Sequence, residues 1–314
     1  MKYSRCKSSV QILAFFVSFV AILGVTTPSY AAGPAPDELA NLIDQMVKRK
    51  MENLGKQMGV VINLSGRQRM LTQKMSKEML LIYLQVESEQ NRLNLGTSAI
   101  LFSDTLKGLV NGDKSVSLSK TTDPDILKQM NLVGDLWRSF SQYVLVALEG
   151  QIDKSFIERV AQENLPLLKE MNKAVYMYEK AAGADLAKLA PVVNLSGRQR
   201  MLTQKMTKEF LLIAAGISIA ENQANLEKSI TLFDRTLKGL RDGDVAQRLP
   251  GTPEPDIRAQ LDIIEQRWNE YRPVLEQQDY SMAQVQRAAE LNLPLLKEMN
   301  TAVKMYEVLS DSAK

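Results

Sequence analysis

The 314-residue sequence predicts an all-α protein made of two tandem antiparallel four-helix bundles. Three observations point there. A block of thirteen residues, Asn63-Leu-Ser-Gly-Arg-Gln-Arg-Met-Leu-Thr-Gln-Lys-Met75, returns letter for letter as Asn194 to Met206, 131 positions later. Apolar residues inside each copy follow a helical period, and no segment alternates as a strand would. Finally, only 6% of the residues are aromatic while 15 are Met, which suits helices packed through Leu and Met better than a β-sandwich.

The N-terminal element stands apart from the fold. Lys2, Arg5 and Lys7 precede an apolar stretch from Val10 to Val25, and Ser29-Tyr30-Ala31 offers a small-x-small cleavage pattern. Residues 1–31 therefore read as a secretory signal peptide, and the apolar run is short for a membrane anchor. Cys6, the only cysteine, would leave with it, so the exported chain would hold no thiol. Removing three of 39 basic residues leaves 36 against 36 acidic ones. That balance gives no reason to expect nucleic acid or an anionic membrane surface as a partner. No later segment has the roughly 18 uncharged apolar residues of a membrane span. A periplasmic product is expected.

The repeats are expected to occupy residues 32–183 and 184–314. In the first helix, Leu64, Leu71, Met75 and Ile82 share one arc, copied by Leu195, Leu202, Met206 and Ile213. A second helix runs from about Asn91 to Val110 and stops at Asn111-Gly112-Asp113, matched by Asp242-Gly243-Asp244. After a loop, Pro124 or Pro255 begins a third helix, with Asp123 or Glu254 at its start. This helix carries Trp137 or Trp268 as packing residues and ends near Gly150 or Gln278. A fourth leads to Tyr178-Glu179 or Tyr306-Glu307, with Pro166 or Pro294 expected to break or restart it. The stretch from Lys173 to Leu189 favours helix, so the fourth helix is expected to run almost directly into the next repeat.

Chemistry concentrates on the repeated block. With no histidine in the chain, Ser-His-Asp relays, His-ligated zinc and imidazole-held haem are excluded. No spaced pair of carboxylates stands out for acid–base work, and Met70, Met75 and Met79 lack His or Cys partners, so they read as core. No enzyme activity, cofactor or metal is expected. Leu64, Leu71 and Met75 occupy one face of the first helix; Gly66, Arg69, Met70 and Gln73 occupy the opposite one. A glycine beside an arginine and an amide lets a second backbone or a ligand come close. If the two copies met there, Arg69 and Arg200 would converge, and a bridging anion would relieve the cost of desolvating them. The alternative is a pair of ordinary solvated arginines.

The motif Asn-x-Ser-Gly-Arg-Gln-Arg-Met-Leu-x-Gln-Lys-Met resembles the first-helix signature of the PilJ-type domain, the N-terminal sensor region of type IV pili methyl-accepting chemotaxis transducers. It is also similar to the periplasmic sensor helix of nitrate/nitrite-responsive histidine kinases. The resemblance implies four-helix bundles that bind nitrate or nitrite between the first helices of two protomers. It assigns the ligand arginine to Arg69 and Arg200 and the close glycine to Gly66 and Gly197. Arg67 and Arg198 match the pattern's second arginine as supporting charge; Asn63, Gln73, Asn194 and Gln204 are flanking candidates. The membrane helices and signalling domain of such transducers have no counterpart here, so a membrane chemoreceptor or sensor kinase is expected as partner. Two arrangements remain open: an intramolecular pseudo-dimer, or an elongated tandem that forms a homodimer. A competing function is a ligand-free helical scaffold that docks a related sensor domain.

Overall fold

A computed structural model describes residues 36–150, 152–183 and 189–312; the expected leader, 1–31, lies outside them. Residues 1–47 and 48–314 form separate units. In the first, residues 36–47 are helical. The second contains both repeats. Among the described residues there are eight α-helices: α1 (Pro36–Tyr83), α2 (Ser88–Asn111), α3 (Pro124–Leu148), α4 (Lys154–Ala181), α5 (Leu189–Ala214), α6 (Ile219–Asp242), α7 (Pro255–Glu276) and α8 (Met282–Ser312). Two single turns of 3-10 helix, Lys114–Val116 and Val245–Gln247, follow α2 and α6. The all-α bundle class is what forms.

Helix boundaries follow local chemistry. The Asp123 carboxylate accepts from the Asp125 and Ile126 amides, and Pro124 supplies a first-turn residue that needs no partner for its nitrogen. Asp153 caps α4 by accepting from the Phe156 amide at 2.7 Å. Glu254 holds the same place before α7 without making a cap bond. Gly112 (φ 84°) and Gly243 (φ 99°) end α2 and α6 in a region closed to most side chains. The expected breaks at Pro166 and Pro294 do not occur: α4 and α8 run through both prolines. Pro166 lies on the exposed face, while Leu167 and Leu168 beside it are buried and hold the helix against the core.

Within each repeat four helices surround an apolar interior. Phe102 and Trp137 pack with ring centroids 4.4 Å apart in the first, Phe233 and Trp268 at 4.5 Å in the second. Both tryptophans are core residues, as expected, and Trp137 also donates to Ser103 Oγ. Met75, Met79 and Met206 are fully buried. Glu170 and Glu298 accept from Gln129 and Gln260 across their bundles.

At the join α4 ends at Ala181, Gly183 interrupts with a left-handed φ of 78°, and α5 begins at Leu189; residues 184–188 lie outside the described residues. α1 and α5 lie side by side. Between Val61 and Ile82 every residue of α1 is buried except the half-buried Arg67 and Lys74, and in α5 from Ala190 to Ile213 only Arg198 and Lys205 escape. One bundle can cover only one face of a helix. Here the second face is covered by the other repeat.

Candidate functional site

The α1–α5 seam brings the two copies of the motif together with near two-fold correspondence. Arg69 and Arg200 are 1% and 3% exposed, and this burial overturns the solvated-pair alternative. Long helical side chains lean toward the N-terminus. Arg69 Nη2 thereby crosses to donate to the Asn194 carbonyl at 3.1 Å, and Arg200 Nη2 to the Asn63 carbonyl at 3.1 Å. The crossing passes over the glycines. A Cβ on Gly66 would lie 3.2 Å from Arg69 Nη2 and 3.7 Å from Arg200 Nη2; one on Gly197 would lie 3.3 Å and 3.7 Å from the same pair, reversed. The space used by both guanidiniums exists because position 66 and position 197 carry no side chain.

Charge in this cleft is unbalanced. Burial, followed by the like charges of Arg198 and Arg200, lowers the Arg69 pKa to about 9, with Glu179 opposing. Burial and Arg67 lower Arg200 to about 9 against Glu307. Both remain cationic at neutral pH. Each Nη1 reaches an asparagine carbonyl oxygen, Arg69 to Asn172 at 3.3 Å and Arg200 to Asn300 at 3.4 Å. The Nε atoms of both arginines are buried and make no hydrogen bond. Leaving a buried charged donor unpaired costs on the order of 1–3 kcal/mol or more, so two such donors from symmetry-related residues call for an acceptor.

The flanking candidates divide. Asn63 and Asn194 belong to the seam: Asn63 Oδ1 accepts from Arg200 Nη2 at 2.7 Å, while their amide nitrogens donate to Glu307 and Glu179 respectively. Arg67 turns toward α2, reaching Thr105 Oγ1 at 3.4 Å, and acts on the cleft through its charge beside Arg200. Arg198 stands in the same relation to Arg69. Gln73 and Gln204 sit one turn deeper, tying α1 to Asn164 of α4 (2.7 Å) and α5 to Asn292 of α8 (2.9 Å).

Sequence reasoning missed a deeper layer. Lys77 Nζ donates to Asn292 Oδ1 at 2.9 Å and Lys208 Nζ to Asn164 Oδ1 at 3.4 Å, so each lysine crosses into the other repeat. Both are 3% exposed, and burial lowers each pKa to about 8. Residues 69, 73 and 77 are spaced four apart and share a helix face. That spacing was the available signal. Asn164 and Asn292, like Asn172 and Asn300, were visible only as identical letters in a second repeated block, where residues 164–172 return as 292–300.

This seam of paired helical modules matches a known family. The model for the type IV pili methyl-accepting chemotaxis transducer N-terminal domain, PilJ, matches residues 55–161 and again 184–293. The chain belongs to that family and carries its domain twice, which makes it a protein of the sensor or signalling class. It is also 30% identical over 124 residues to the methyl-accepting chemotaxis protein McpN of Pseudomonas aeruginosa, a match covering 39% of this chain and 23% of that protein. The chain thus spans about a quarter of the relative's length. No solved structure matches it. Among the described residues no helix is long and apolar enough to cross a membrane.

Proposed function

We propose that this protein is an exported, periplasmic sensor for a small inorganic oxyanion, nitrate or nitrite, with one site on the α1–α5 seam. In this reading residues 1–31 are removed, and residues 32–183 and 184–314 each act as one sensor unit. Together the units form a pseudo-dimer whose two halves share a ligand. The observation that carries the proposal is the pair of buried arginines, Arg69 and Arg200, each with an unpartnered Nε and both with Nη2 beside Gly66 and Gly197. A planar anion on the pseudo-two-fold axis accepts from both guanidinium edges, and the missing side chains give it room. A monovalent anion also offsets the neighbouring positive charge, Arg198 and Arg200 at Arg69 and Arg67 at Arg200, that adds to burial in lowering both pKa values.

Asn63 and Asn194 link the site to the rest of the chain. Each shares hydrogen bonds with an arginine of the opposite repeat and a carboxylate near the end of α8 or α4. Moving the guanidiniums toward an anion loosens their hold on the asparagine carbonyls. The ends of α4 and α8 are then free to shift for a membrane receptor or kinase to read.

Calorimetry with sodium nitrate and sodium nitrite tests the reading. Micromolar binding at one anion per chain, lost in an Arg69→Ala/Arg200→Ala double variant that still melts cooperatively, is the expected result. Silence of the folded wild-type chain toward both anions overturns it and favours the ligand-free docking module.

A further inference from the structure

The pseudo-symmetry of the seam is broken on one side. Asn63 Oδ1 is engaged by Arg200 Nη2, but its counterpart Asn194 Oδ1 is buried without a hydrogen-bond partner. The amide cannot simply be turned around. Asn194 Nδ2 donates to Glu179 Oε2, and Arg248 Nη2 holds the other oxygen of that carboxylate at 2.7 Å. Reversing the amide would place oxygen against oxygen. The open atom is therefore an acceptor, fixed in direction, on a residue 5% exposed.

Asn194 lines a groove of about 460 Å³ between α4, α5 and α6. The volume falls in the range of small-molecule sites and far exceeds what a four-atom anion fills. Leu168, Leu202 and Leu232 give it apolar wall, and Tyr176 of α4 contributes an exposed ring at its edge. Arg198 and Lys228 line it as well, and neither makes an ion pair among the described residues. No acidic side chain lines the groove. The equivalent positions in the other repeat differ: Thr97 stands where Lys228 does, and Lys304 where Tyr176 does. The groove's lining is thus not repeated on the other side at these two positions.

We infer that this groove is a second site, for a small organic carboxylate that carries an apolar body and a neutral hydroxyl. The carboxylate pairs with Arg198 and Lys228, the body lies on the leucines, and the hydroxyl donates to Asn194 Oδ1. A neutral donor is required because an ammonium would meet the positive charge of Arg69, which also lines the groove. The inference stands on groove residues alone and does not require the inorganic anion to bind.

The test is calorimetry of the full chain with mandelate and with phenylacetate, its analogue without the hydroxyl. Mandelate is expected to bind, and phenylacetate at least about tenfold more weakly, because the buried acceptor then stays unmet. Lys228→Glu, at an exposed position, and Leu232→Trp, which fills the groove, are each expected to weaken mandelate at least about tenfold. Nitrate and nitrite titrations of the same variants should change less than about twofold. Absence of mandelate binding to the wild-type chain overturns the inference. So does mandelate binding that survives both groove substitutions but disappears in Arg69→Ala/Arg200→Ala, since the ligand would then occupy the central cleft. Loss of nitrate binding with mandelate binding intact would count against the central site only.

Discussion

The interior of each four-helix bundle and the seam between α1 and α5 are equally closed to water, yet they are made of opposite materials. Around Phe102–Trp137 and Phe233–Trp268 the buried groups are apolar, and each contact gains by leaving solvent. Along the seam the buried groups include Arg69, Arg200, Lys77 and Lys208, with asparagine and glutamine as their partners. Desolvating a cation costs several kcal/mol that neutral partners return only in part. The contrast separates two jobs: the interiors hold the fold together, while the seam spends some of that stability to keep charge ready.

Substitutions can break this division or sharpen it. The largest expected effect is in an interior: Phe102→Ala should cost about 3–5 kcal/mol in chemical denaturation. A smaller value would mean the interior collapses around the gap. Next comes pH. Lys77 and Lys208 have folded pKa values of about 8 against 10.5 for the exposed group. Between these values the unfolded chain holds more protons, so stability should rise with pH. The slope above pH 8 is at most about 1.4 kcal/mol per unit for each lysine. Arg69 and Arg200, lowered to about 9, add in the same direction at the upper end. A Lys77→Met/Lys208→Met variant should flatten the rise between pH 8 and 9; an unchanged profile would show that the lysines are not desolvated in solution.

Smaller still is Gly66→Ala with Gly197→Ala. Each added methyl meets the ends of arginine side chains rather than backbone. The helices should gain up to about 1 kcal/mol per site, measured by thermal melting, while anion affinity falls as the cleft narrows. Loss of stability instead would mean the guanidiniums cannot yield. The smallest effect belongs to Arg248→Ala. This arginine is 64% exposed in its side chain, and its ion pair with Glu179 should change stability by less than about 1 kcal/mol.

Helix number was legible because it follows from a repeated local pattern, and so was the shared face of Gly66 with Arg69 and of Gly197 with Arg200; the sequence left open whether the two faces meet within one chain. The opposite faces of α1 could be separated by period alone, and two polar faces with matching letters invite each other. What could not be read was set by tertiary contact. The helix-favouring stretch after Lys173 continues to Ala181 and is interrupted at Gly183. Pro166 and Pro294 suggested breaks that packing on either side overrides. The motif offers Arg67 only as supporting charge, and two residues of helical rotation send it to Thr105 on α2. Lys77, Asn164 and Asn292 draw their meaning from partners more than 40 residues away, and no local pattern announces such pairs.

Because α1 and α5 belong to one polypeptide, their meeting is set by the connecting chain, not by how many molecules surround it. Two separate copies would drift apart on dilution, and their shared cleft would vanish with them; here the tether maintains a fixed effective concentration. A cleft assembled this way persists in a sparse compartment. If the proposed anion binds there, its occupancy follows the anion alone, with a saturation curve that does not move with the amount of protein present.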